Sequence, residues 1–234
     1  MIGWGQLTRV IETCIHTSMF KRNQIELAIS DLLEQGKNRP SLGLRTRIKR
    51  LLDTDRLLGC NPSSNDPEKR NYAFYRDSAP GSGFDIWFSA YEAFALLQGL
   101  QLMWHNWPQR FAVSVLRHTR PELEKEHRRI LKMDPATLFD RNVLKQKLVP
   151  GSAVFETMEP ALLSIVSHYK MSAQQENAPY ACAVHSSLEK ATSWVFETTK
   201  GVGGGSSMFE LTVLAHQLAR ELERTKPQRR GRSG

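Results

Sequence analysis

The chain has 234 residues, of which 40% are hydrophobic and 24% charged. That composition excludes a disordered or fibrous protein, and the length lets the chain bury a core without disulfide staples. With 32 Lys+Arg against 24 Asp+Glu the formal charge is +8, which favours an anionic partner such as nucleic acid.

Cys14, Cys60 and Cys182 are odd in number and far apart, with no CxxC and no zinc spacing. They read as thiols in a reducing compartment. The start, Met1 to Gly5, lacks the charged and apolar regions of a secretory signal. The most apolar stretch, Phe84 to Trp107, is broken by Asp85, Glu92, Gln98, Gln101, His105 and Asn106. It reads as a buried helix and not a membrane span. The expectation is a cytoplasmic protein with no membrane partner.

In chain order, Leu7, Val10, Ile11, Cys14 and Ile15 form one apolar stripe on a helix over 4–17. Ile25, Ala28, Ile29, Leu32 and Leu33 repeat it over 22–35, and Gly36 stands where a C-cap belongs. Ser41 N-caps a third helix, in which Leu44, Ile48, Leu51 and Leu52 share a face. Turn formers fill Gly59 to Pro67, and Tyr72, Ala73, Phe74 and Tyr75 have strand propensity. The linker Ala79–Gly83 follows, and Ser89–Glu92 is a capping box for a strongly apolar helix. Pro108, Pro121 and Pro135 each mark a helix start.

Beyond Pro150-Gly151 the signals mix. Leu162–Val166 and Tyr180–Val184 are candidate strands, with a polar loop over 171–179 between them. Ser186–Glu189 opens a helix reaching about Thr198. Gly201–Gly205 reads as a mobile turn, and Ser207–Glu210 as the cap of a last helix carrying Leu211, Leu214, Ala215 and Leu218. The basic end, 226–234, reads as disordered. The expected fold class is α+β, mainly α, divided into 1–78, 84–225 and the tail.

The strongest chemical signal lies between Lys37 and Arg50: Lys37, Arg39, Arg45, Arg47, Lys49 and Arg50, with no acid. At 100 degrees per residue, Thr46, Lys49 and Arg50 fall opposite Leu44 and Ile48, and Arg45 and Arg47 flank the apolar stripe. One face packs and the other is cationic, as a helix entering a major groove must be built. Lys69, Arg70, Tyr72 and Arg76 follow with the composition of a wing that touches the phosphate backbone.

In element order and charge placement the first 76 residues resemble a winged helix-turn-helix domain. The resemblance implies double-stranded DNA as partner. It implies contacts from Lys37, Arg39, Ser41, Arg45, Thr46, Arg47, Lys49, Arg50, Lys69, Arg70, Tyr72 and Arg76. A transcriptional regulator follows, working as a homodimer through residues 84–225, whose apolar helices over 90–105 and 208–224 supply a seam.

Other readings draw on different residues. Arg110, Arg117, His118, Arg120, Lys125, His127, Arg128, Arg129 and Lys132 form a second basic set, a solvated face or a further nucleic-acid contact. Within it, the spacing of Arg120 and His127 is similar to the catalytic pair of HEPN-type ribonucleases, though Pro121 follows the arginine directly. A winged domain also serves as a protein-docking adaptor. The aromatic set Phe84, Trp87, Phe88, Tyr91, Phe94, Trp104 and Trp107 is core, dimer seam or effector pocket. The seven histidines form no metal motif, and no nucleophile elbow or P-loop occurs. Neither a cofactor nor an enzymatic activity is expected.

Overall fold

The computed structural model describes residues 19–34, 39–76, 78–79, 86–135, 160–168, 180–200 and 204–225. The helix expected over 4–17, Gly36, the loop over 171–179 and the basic tail lie outside them, as does most of the linker and of the helix expected from Pro135. The described residues are α+β and mainly α. They fall into two compact units, 1–118 with 217–234, and 119–216.

In the first unit β1 (Phe20–Lys21) runs directly into α1 (Arg22–Leu33). Gln24 accepts the Lys21 amide at 3.0 Å, and Ile25, Ala28 and Ile29 enter the core at the expected spacing. Ser41 starts α2 (Leu42–Leu58), its hydroxyl accepting the Leu44 amide at 3.1 Å. Leu44, Ile48, Leu51 and Leu52 are buried, as their spacing predicts. Gly59 ends the helix at φ 65°, a conformation that favours glycine.

The strand expected at Tyr72–Tyr75 does not form. A short helix, α3 (Pro67–Arg70), precedes an irregular segment in which the Ala73 and Phe74 amides donate to Asp55 Oδ1 and Oδ2 at 3.1 and 2.9 Å. A buried carboxylate takes the amides that a neighbouring strand would otherwise bond. Among the described residues, 71–76 therefore form no strand, and Lys69 and Arg70 sit on α3.

β2 (Trp87–Phe88) closes antiparallel on β1, with Phe20 opposite Phe88 and Lys21 opposite Trp87. Then α4 (Ala90–Trp104) opens on the expected capping box. Ser89 accepts the Glu92 amide at 3.3 Å, and the Glu92 carboxylate accepts the Ser89 amide at 2.7 Å. Every residue from Ala90 to Leu100 is buried. A Cβ on Gly99 would lie 3.1 Å from Leu51 Cδ1 and 3.3 Å from Phe74 Cζ, so glycine lets α4 lie close to α2. The apolar surface expected to form a dimer seam on this helix is consumed by the core of its own unit.

After Pro108, α5 (Gln109–Ile130) is one helix. Pro121 lies inside it and does not begin a new one. A proline at that position cannot bond the Arg117 carbonyl, and Asn71 Nδ2 donates to that carbonyl at 3.3 Å.

Arg117 also completes the centre of the first unit. Its Nε donates to Asp55 Oδ1 at 2.6 Å, Nη2 reaches the Asp55 carbonyl, and Nη1 reaches the Glu68 carbonyl at 3.3 Å. Both side chains are almost wholly buried. Burial pushes the Asp55 carboxyl above its ordinary value, against the pull of Arg117 and of the two amides. Tyr75 donates to the Leu52 carbonyl at 3.2 Å, and its phenol is pushed up to about 12 by burial and then by Asp55.

In the second unit β3 (Leu162–His168) is the central strand between β4 (Tyr180–His185) and β5 (Gly204–Glu210), all antiparallel. The two expected strands form. α6 (Leu188–Thr199) is capped by Ser187, which accepts the Lys190 amide at 3.3 Å. The turn and cap expected over 201–210 give way to β5 from Gly204 onward. A central strand needs partners on both edges, and that demand outweighs the weak strand preference of glycine. α7 (Thr212–Arg224) follows, with Thr212 to His216 in this unit and the rest in the first, and the Glu210 carboxylate accepts the Thr212 and Val213 amides at 2.6 and 3.0 Å.

Removing one member of a buried ion pair leaves the other charge uncompensated. Asp55→Ala is expected to lower stability by about 3–5 kcal/mol in urea unfolding. A loss below about 1 kcal/mol, the range of an exposed pair, would contradict the role given to this carboxylate.

Candidate nucleic-acid interface

The exposed face of α2 is aimed by what lies beneath it and at its start. Ser41 does more than accept the Leu44 amide: its hydroxyl donates to Glu34 Oε1, and its own amide donates to Glu34 Oε2 at 2.9 Å. Glu34 also accepts the Ser30 hydroxyl at 2.8 Å. The end of α1 and the start of α2 are thus joined through one carboxylate. Ser41, expected as a DNA contact, spends its hydroxyl on holding the helix.

Opposite the buried stripe stand Leu42, Thr46, Arg50, Asp53 and Leu57, all within about 45 degrees of the outward direction. Lys49, Arg56 and Arg45 lie to one side and Arg47 to the other. Arg45 Nε is 3.4 Å from Glu26 Oε2, and Glu26 Oε1 is 2.7 Å from Arg22 Nε. Glu26 is mostly buried, so it holds two arginines from neighbouring helices side by side. Asp53 takes Lys49 at 2.8 Å and Arg56 at 2.9 Å. These are pairs with exposed cations, worth little in water and open to exchange. Arg39, Arg47 and Arg50 are exposed and pair with no acid among the described residues. Six cations, Arg39, Arg45, Arg47, Lys49, Arg50 and Arg56, thus meet two carboxylates, Glu26 and Asp53.

The remaining expected contacts are scattered. Lys69 and Arg70 are exposed on α3, with Lys69 Nζ 3.8 Å from Asp66. The Arg70 carbonyl accepts the Cys60 thiol at 2.8 Å. Tyr72 faces inward: it meets Tyr75 edge-on at 5.6 Å, and the Arg117 guanidinium lies 5.3 Å from its ring centre. Arg76 is exposed, and Lys37 is outside the described residues. The cations of α2 share one helix, on and beside its exposed face, and Tyr72 is half-buried.

The second basic set is divided. Arg110, His118, Lys125, Arg128 and Lys132 are exposed, but Arg117 is buried. Arg120 is 9% and His127 is 4% exposed, so neither group of the ribonuclease-like pair is presented to solvent. Arg129 bonds Glu126 at 2.6 Å. Among the aromatic set, Phe88, Tyr91 and Phe94 are core, Trp107 stacks on Phe111 at 4.6 Å, and Trp87 and Trp104 are about half-exposed. Phe84 is outside the described residues.

No three His, Cys, Asp or Glu come together among the described residues in a way that could hold a metal ion. Burial lowers the pKa of both His185 and His216. No described helix is long and apolar enough to cross a membrane. The chain matches no protein-family model, no curated protein and no solved structure.

Two residues that shape this surface escape a search for clusters of charge. Asp55 lies on the apolar stripe of α2, about 20 degrees from Leu44, and a lone carboxylate there is the signal of a buried partner. Glu26 carries the same signal on α1, four residues after Arg22.

Ser41→Ala removes the cap and the hydroxyl link to Glu34 together. It is expected to destabilise the protein by about 1–2 kcal/mol in urea unfolding while the exposed cations stay in place. No measurable loss would show that the start of α2 is held elsewhere.

Proposed function

We propose that the chain binds double-stranded DNA through the exposed face of α2, as a winged helix-turn-helix protein of the transcription-regulator class. The observation that carries this reading is the set of exposed arginines Arg39, just before α2, and Arg47 and Arg50 on it, with Arg45 and Lys49 on the other side of the same helix, whose remaining face is locked into the core. Cations held on a rigid helix reach phosphates and base edges with little ordering cost. The β1–β2 pair supports the winged arrangement. β1 enters α1 directly, and β2 returns to it after α2, which braces the helix pair against a strand ribbon. Lys69, Arg70 and Arg76 are exposed and are assigned phosphate contacts in this reading.

A single helix of this kind buries only roughly 600–1,000 Å² on DNA, and two half-sites read by a two-fold dimer add specificity. Homodimerisation through residues 84–225 is part of the proposal. Exposed Phe196 and Met208 in the second unit are the apolar side chains it would draw on.

The test is fluorescence anisotropy on a labelled duplex across a salt series. Binding should weaken with a log–log slope of about −0.9 for each phosphate neutralised. Arg47→Ala/Arg50→Ala should cost about 1–3 kcal/mol for each base edge no longer bonded, and less where only phosphate is touched. A folded double variant that binds as the parent does would overturn the assignment of α2.

A further inference from the structure

The exposed face of α2 is not uniformly cationic. Leu42, in the first turn, is 79% exposed, and Leu57, in the last, is 82% exposed. Both are far more open than Leu44, Leu51 and Leu52 of the same helix, which are almost wholly buried. A side chain of that size held in water at the start of a helix gives nothing to the fold.

Its surroundings say what it could meet. Leu42 heads the outward row that continues through Thr46 to Lys49 and Arg50 at the spacing of successive turns. Gly43, beside it, is exposed, and a Cβ there would meet only Ser41 Oγ, at 3.8 Å. The first turn is therefore slim enough to go deep into a groove. Arg39, Arg47 and Arg50, which pair with no acid among the described residues, stand along the first three turns, while Glu34 holds Ser41, Glu26 offsets Arg45, and Asp53 offsets Lys49 and Arg56. A recognition helix meets base edges with its N-terminal residues. In the major groove the apolar feature of a base edge is the C5-methyl of thymine.

We propose that Leu42 is a specificity-determining residue that packs against a thymine methyl, so the site prefers A·T pairs where the first turn of α2 enters. The proposal rests on the DNA-binding reading and adds a base preference to it. The cations supply attraction that is blind to sequence. Leu42 supplies discrimination, because against a G·C pair the same side chain would cover polar edges without bonding them.

Uracil differs from thymine only by that methyl group, which gives a direct test. Anisotropy titrations would use the full chain with an alternating dA-dT duplex and with the same duplex carrying uracil in place of thymine. Removing the methyl should weaken binding about fourfold, the effect of one buried methyl group. Leu42→Ala, at an exposed helical position, should bind the two duplexes alike, at the affinity the parent shows for the uracil duplex. Equal binding of both duplexes by the parent, or an unchanged preference in the variant, would overturn the role of Leu42 and leave DNA binding standing. Failure to bind either duplex at any salt would overturn DNA binding as well. Light scattering on the same variant checks for an interface between copies: disappearance of the dimer in Leu42→Ala would also count against the thymine contact.

Discussion

The first unit is organised around one buried charge pair, Asp55 on α2 with Arg117 on α5. Neither charge would be tolerated there alone. Each is satisfied by several bonds: Asp55 by the guanidinium and two amides, Arg117 by the Asp55 carboxylate and carbonyl and by the Glu68 carbonyl. The pair therefore does more than join two helices. It dictates the path of the segment between Asn71 and Tyr75, because that segment must deliver the Ala73 and Phe74 amides to the carboxylate. It also carries Tyr72 beneath the guanidinium. A hydrophobic pair of the same volume could hold the helices as tightly, but it would not specify the backbone of the connecting segment.

That constraint reaches the surface through geometry. With Asp55 fastened inward and Leu44, Ile48, Leu51 and Leu52 buried beside it, α2 has one permitted rotation about its axis. The opposite side, from Leu42 through Thr46 to Arg50, then faces solvent. Glu34 and Ser41 hold the start of the helix to the end of α1, and Glu26 aligns Arg22 with Arg45. Three carboxylates on or inside the surface thus aim its cations. They lower the net charge of that face, yet they reduce the conformational freedom that binding would otherwise have to remove.

Much of this was legible in the residues, and the exceptions share a cause. The stripes of α1 and α2, the Ser89–Glu92 box and the strands near 162 and 180 follow from local spacing, and local spacing sufficed. The segment Tyr72–Tyr75 has the composition of a strand but a carboxylate in place of a neighbouring strand. Gly204–Glu210 joins the end of a glycine-rich turn to a helix cap by composition, but a central strand needs an edge partner. Pro121 interrupts nothing because Asn71, distant in sequence, bonds the carbonyl it cannot serve. In each case a long-range partner overrode a local preference. For the candidate surface, charge and periodicity located α2, whereas the burial of Arg117, Arg120 and His127 came from packing that no charge count registers.

The central claim is that the outward face of α2 meets the phosphates and bases of a DNA duplex. The most direct measurement is a heteronuclear NMR titration of the arginine Nε–Hε groups of the full chain with duplex DNA. Arg117, closed inside the first unit, serves as the internal reference. The account predicts that the Arg47 and Arg50 signals shift and broaden with added duplex while the Arg117 signal stays where it is. Unmoved Arg47 and Arg50 signals under conditions where other residues respond to the duplex would contradict it.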